Sequence, residues 1–155
     1  MGSMRIEEVP WSDPAGEELR KQQRSEIAEV YGTPESEFGA PSGADIAVFV
    51  LAYADDGTAV GCAGLRLLGQ DSAELKRMYV APAWRGTGVA AELLRALEDS
   101  ALARGLTTLR LETGDRLPAA IRFYTRSGFT PIPNYGPYAD SDTSLCFERR
   151  LQPTH

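Results

Sequence analysis

The chain predicts a mixed α/β domain: a central sheet of about six to seven strands, an antiparallel meander plus one parallel pair, flanked by helices. Three observations carry that expectation. Three β-rich runs between Ile46 and Val80 are joined by tight turns too short for crossovers, so they should lie antiparallel. After Val80 the apolar period changes, with Val89, Leu93, Leu94, Leu97 and Ala101 at helical spacing. A strand-like run from Leu106 to Thr113 then follows, and a helical crossover makes it parallel to the strand at 73–80.

Taken in order, Arg5 to Val9 reads as a short first strand. Asp13-Pro14 marks a helix start, with Asp as N-cap, Pro at the first helical position and Glu17 and Glu18 in the first turn. Leu19, Gln23, Ile27 and Val30–Tyr31 fall along one side of that helix, and Gly32 should stop it. So thin an apolar stripe covers a surface lightly and suits a helix that lines an opening. Thr33 to Asp45 is a loop rich in Gly, Pro, Ser and Glu. The meander follows as Ile46–Ala54, a hairpin turn at Asp55-Asp56-Gly57, Ala59–Leu68, a turn at Gly69–Ser72, and Ala73–Val80. Strand alternation would put Glu74, Lys76, Met78 and Val80 on one face. The next helix should run to Gly105, about 20 residues and roughly 30 Å. In Leu106–Thr113, Leu109 and Leu111 oppose Arg110 and Glu112. Pro118 to Ser127 is helical, with Ala120, Phe123, Tyr124 and Ser127 in register and Gly128 as the left-handed stop. Phe129–Ile132 and Thr143–Leu151 close the chain as strands around a proline- and tyrosine-bearing loop.

The 155 residues are one domain's worth, and 4–152 is read as a single domain behind Met1-Gly2-Ser3, which looks like an expression remnant. A net charge of −6 argues against nucleic acid as the main partner and is compatible with a cationic amine substrate. Cys62 and Cys146 fit no ligand or redox spacing and read as buried thiols. His155 is the only histidine and the last residue, which leaves no imidazole base and no histidine-built metal site; no metal is expected. No apolar run is long enough to span a membrane and no leader precedes the chain, so a cytoplasmic protein with no membrane partner is expected.

The chemistry is concentrated in Arg85-Gly86-Thr87-Gly88-Val89-Ala90. Glycines clear side chains from the approach to the backbone, several N–H groups can converge on phosphate oxygens, and the following helix start adds its positive end. With the charge of Arg85, this predicts a site for a diphosphate. Gly86 to Ala91 also satisfies the G-x-G-x-x-A dinucleotide fingerprint, with Glu112 as the ribose acid. Against that reading, Ala81 to Arg85 separates strand from glycine, about 40 residues are too few for the remaining βα units, and the preceding strands form a meander.

Arg85-x-x-Gly88-x-Ala90, after a strand ending in Val80 and Pro82, resembles the acetyl-CoA signature of the GNAT acyltransferase superfamily. Ala120-Ile121-Arg122-Phe123-Tyr124-Thr125-Arg126-Ser127-Gly128-Phe129 is similar to the family's second signature. The resemblance runs from Ala73 to about Phe129. It implies a GNAT fold, acetyl-CoA as acyl donor, and transfer to a primary amine of a small molecule or a protein. In that pattern the backbone of Met78, Tyr79 and Val80 faces the pantetheine arm, and Arg85, Gly86, Thr87, Gly88, Val89 and Ala90 receive the pyrophosphate. One N–H of the same strand would hold the developing oxyanion. Tyr124 matches the family's tyrosine beside the sulfur and would protonate the leaving thiolate, the alternative being that it packs as Phe123 does. Glu74 resembles the family's basic glutamate, with a structural pair to Lys76 as the alternative; Glu112, with Arg110 as same-face neighbour, or a water relay are the other choices. Leu117 departs from the pattern where an Asn often stands. Acceptor choice would fall to 14–31, 33–45 and 131–142, where Tyr135, Tyr138, Asp140 and Asp142 would form an aromatic-acidic wall. A non-catalytic acyl-CoA sensor of the same fold is the alternative function, and a homodimer is compatible with either.

Overall fold

The computed structural model describes residues 4–33 and 41–152. Residues 1–3, most of the loop 33–45 and His155 lie outside the described residues. Seven strands form one sheet: β1 (Arg5–Glu8), β2 (Ile46–Tyr53), β3 (Ala59–Leu67), β4 (Ser72–Val80), β5 (Thr108–Gly114), β6 (Thr130–Ile132) and β7 (Ser144–Arg150). Their order across the sheet is β1-β2-β3-β4-β5-β7-β6. Every neighbouring pair is antiparallel except β4 and β5, as the meander and the single crossover predict.

Three helices flank the sheet: α1 (Pro14–Tyr31), α2 (Val89–Ala103) and α3 (Pro118–Arg126). The Asp13 carboxylate accepts from the amides of Ala15 and Gly16 at 3.0 and 3.3 Å, and Gly32 ends α1 at φ 74°. A cap of this kind is worth about 1 kcal/mol. On one face of the sheet, Val89, Leu93, Leu94 and Leu97 of α2 share a core with Val48, Val50, Ala63, Leu65, Ala73 and Leu75. Tyr124 and Phe129, from α3 and its exit, join the same core. Each fully buried leucine there contributes on the order of 2 kcal/mol. On the other face, Leu19 of α1 packs with Phe49, Leu51, Cys62 and Tyr79.

Four expectations are corrected. The second helix is 15 residues, not about 20, because Gly86 and Gly88 adopt φ 78° and 93° and the chain turns at Pro82–Trp84 before helical geometry begins. The third helix ends at Arg126, leaving Ser127 as its cap. The side of α1 that reaches the core is set by Gly16, Leu19 and Arg20, while Val30 is exposed. Arg20 is buried because its guanidinium stacks 3.7 Å from the Trp11 ring and donates to the Trp11 carbonyl at 2.7 Å.

The last correction concerns β4. Cys62 faces Tyr79 and Gly64 faces Lys76, so Ala63 alone lies opposite both Arg77 and Met78. That is a β-bulge, with Arg77 in the left-handed region at φ 55°. The extra residue reverses the alternation. Met78 and Val80 pack against the core that holds Ala73 and Leu75, while Tyr79 joins the α1 side. Glu74 and Lys76 therefore do not share a face with Met78 and Val80.

Candidate active site

The pairing of β4 with β5 is brief. Ser72 faces Thr108, Ala73 faces Leu109 and Glu74 faces Arg110, and no further partners follow although both strands continue. Between the unpaired ends lies a cavity of about 410 Å³. Leu75, Lys76, Arg77 and Met78 of β4 form one wall, and Glu112, Thr113 and Gly114 of β5 the other. Leu117, Ala120 and Tyr124 close it from α3, Gln23, Ile27 and Tyr31 from α1, and Tyr138 and Ser144 from the C-terminal segment. The bulge at Arg77, in the β3–β4 ladder, falls on the stretch of β4 that no longer pairs with β5. Gln23 Nε2 donates to the Met78 carbonyl at 2.8 Å and so ties α1 to the bulge.

Tyr124 is buried among aromatic neighbours, its ring edge-on to Phe123 and Phe129 at 5.4 and 5.8 Å. Burial, and then the charge of Glu112, push its phenol pKa far up, so the group stays protonated. Glu112 accepts from Ser144 Oγ at 2.6 Å. Arg110, on the same face of β5 as Glu112, donates to Glu148 at 2.8 Å across the β5–β7 register.

Glu74 has a different setting. It is 1% exposed and does not line the cavity. Its Oε1 accepts from Arg66 Nε and Nη2 at 3.1 and 2.8 Å, and its Oε2 accepts from Tyr135 OH at 2.9 Å. Burial and then the Glu74 charge push the Tyr135 phenol pKa upward. Lys76 Nζ donates to Tyr138 OH at 2.9 Å. Of the expected aromatic-acidic wall, Tyr138 reaches the cavity, whereas Asp140 and Asp142 are exposed outside it.

The glycine turn lies beyond the end of β4. A Cβ placed on Gly86 or Gly88 would meet no atom within 4 Å, so the main chain there faces open space. Gly88 precedes Val89 and Ala90 with no side-chain hydrogen bond capping the helix start. This turn has the open approach and uncapped amides that a diphosphate requires, and the acyl-CoA group fits the residues present. Arg85 Nε donates to the Val80 carbonyl at 3.0 Å, and its Nη2 pairs with Glu26 at 2.9 Å. Thr87 Oγ1 donates to the Trp84 carbonyl at 2.5 Å, which fixes the turn. The Tyr79 hydroxyl donates to Glu26, and burial followed by that carboxylate raises its pKa to about 12. Of the strand residues expected at the cofactor, only Met78 lines the cavity, while the side chains of Tyr79 and Val80 pack into the two cores.

The sequence does not single out Glu26 or Arg66, and it marks Tyr31 only as part of the α1 stripe. Glu26 meets Tyr79 and Arg85, and Tyr31 meets Asp115, from segments that no local pattern connects.

The profile of the acetyltransferase (GNAT) family matches residues 5–129. A relative named IAA acetyltransferase, from Azospirillum brasilense, is 38% identical over 96 residues, covering 61% of this chain and 63% of that protein. The chain spans 53% to 65% of the length of the curated relatives it matches. Among solved structures, a Klebsiella pneumoniae protein assigned to the acyl-CoA N-acyltransferases superposes with a TM-score of 0.83 at 29% identity, covering 96% of this chain and 98% of that one. The PaiA N-acetyltransferase of Thermoplasma acidophilum, solved with coenzyme A, shares the fold at a TM-score of 0.71 and 21% identity, covering 96% and 99%. With a family match over most of its length and a sheet that parts between β4 and β5, the chain belongs to the acetyltransferase (GNAT) family.

Proposed function

We propose that this protein is an acyl-CoA-dependent N-acyltransferase, with acetyl-CoA as donor and a primary amine as acceptor. The observation that carries the reading is the cavity between the parted ends of β4 and β5, with a protonated phenol, Tyr124, and a carboxylate, Glu112, on its walls. The coenzyme A bound in the related PaiA structure supports the donor class. When bound, the donor supplies an acyl group activated as a thioester.

The chain's own residues have distinct tasks in this proposal. The amides from Arg85 to Ala90 receive the diphosphate, with Gly86 and Gly88 keeping the approach clear. The backbone of Met78, Tyr79 and Val80 lies alongside the donor arm. At the bulge, a main-chain N–H released from the regular ladder stabilises developing negative charge on the carbonyl oxygen. Tyr124 holds a proton that it gives to the departing sulfur. Between the two carboxylates, the cavity lining favours Glu112 as the group that takes a proton from the amine, directly or through water. Glu74, anchored by Arg66 and Tyr135, is proposed to hold the wall in place.

The test is Tyr124→Phe. Free-thiol release from acetyl-CoA in the presence of an amine should fall by about 10²-fold or more, with acetyl-CoA binding by calorimetry retained. A variant that turns over at the wild-type rate removes Tyr124 as the acid. Binding by the wild-type protein without thiol release, over a broad amine panel, would favour a non-catalytic acyl-CoA sensor.

A further inference from the structure

The second half of α1 crosses the gap between the parted strands. At one side Gln23 holds the Met78 carbonyl of β4 at 2.8 Å, and Glu26 binds Tyr79 and Arg85. Eight residues after Gln23, about 12 Å along the helix, Tyr31 reaches the end of β5. Its hydroxyl donates to the Asp115 carboxylate at 3.1 Å and accepts from the Arg116 amide at 3.0 Å. The contact with β5 is so close that a Cβ on Gly114 would fall 2.1 Å from the Tyr31 hydroxyl and 3.0 Å from its ring. A side chain at 114 would have to displace Tyr31. Tyr31 and Gly114 both line the cavity, so this latch is part of its wall.

Size points the same way. The cavity of about 410 Å³ has to accept the acyl end of the donor together with the amine. Small-molecule sites run from about 300 to 1,000 Å³. An extended polypeptide rises about 3.3 Å per residue, so four residues need a trench of about 13 Å open at both ends. A helix tied to β4 by Gln23 and to the end of β5 by Tyr31 narrows the room for such a trench.

We propose that the acceptor is a small primary amine, and that the Tyr31–Gly114 latch excludes polypeptide amines from the site. The inference rests on the acyltransferase reading above. It makes Tyr31 a specificity-determining residue, one that shapes the entrance and moves no proton.

The experiment measures free-thiol release from acetyl-CoA with two acceptor sets, alongside acetyl-CoA binding by calorimetry. One set holds small aliphatic and aromatic monoamines, diamines and amino-acid amides. The other holds eight-residue peptides bearing a free N-terminus or an internal lysine. The wild-type protein should release thiol with a small amine at least tenfold above the rate without acceptor, and with peptides only at that background rate. Tyr31→Ala, and separately Gly114→Ala, should raise peptide turnover at least tenfold. If either variant fails to fold, the wild-type ratio decides. A peptide used within tenfold of the best small amine overturns the proposal, as does donor binding with no release from either set. Absence of acetyl-CoA binding instead sinks the acyltransferase reading on which the proposal stands.

Discussion

Replacing Glu74 with Gln changes one atom of a side chain that is 1% exposed and removes the charge that Arg66 faces. The Arg66 side chain is itself only 14% exposed, so water cannot compensate fully. Deleting one partner of a buried ion pair costs about 3–5 kcal/mol. Two features reduce that figure here. The amide oxygen still accepts from Arg66, and Arg66 keeps Asp45 at 3.1 Å. The remaining loss is that of a charge-assisted hydrogen bond in a buried setting, about 2 kcal/mol. For a chain of this size, Tm should fall by roughly 4–8 °C. Because Glu74 lies off the cavity wall, the limbs of the pH–rate profile for thiol release should stay where they are. Thermal unfolding and the pH profile on the same preparation test both halves. Wild-type stability together with the loss of one limb would refute the reasoning and make Glu74 the base.

Gly88→Asp should lower acetyl-CoA affinity by at least tenfold in calorimetry, because it puts a carboxylate where the diphosphate belongs and strains a residue at φ 93°; unchanged affinity would move the phosphate site elsewhere. Alkaline stability should fall as pH rises from about 10 to 12. The folded state keeps the Tyr79 proton to about 12, through burial and then Glu26, while the unfolded chain gives it up near 10. Chemical unfolding at stepped pH should show that slope, and Tyr79→Phe should make it shallower; a flat profile through pH 11 would contradict the assignment.

Much of the architecture was legible because it follows from local rules. Asp13-Pro14 and Gly32 bracket α1 by capping, and short turns force the meander. A helical crossover forces β4 and β5 to be parallel. What escaped was whatever depends on a partner distant in sequence. The bulge at Arg77 needs β3 to define it, and alternation counted along β4 alone put Met78 and Val80 on the wrong face. Glu74 meets Arg66 across the hairpin, but its other partner, Tyr135, comes from a distant segment. Arg110 is the same-face neighbour of Glu112, but its partner Glu148 is supplied by β7.

The sequence by itself determined the meander, the one parallel pair, the glycine turn and the aromatic helix, since hydrophobic period, capping and φ requirements act within a few residues. Only the tertiary structure decided which carboxylate lines the cavity and how α1 roofs it. Those outcomes depend on side chains from separate segments meeting, as Gln23 meets Met78 and Ser144 meets Glu112, where buried charge must find a partner and no short-range preference specifies which one.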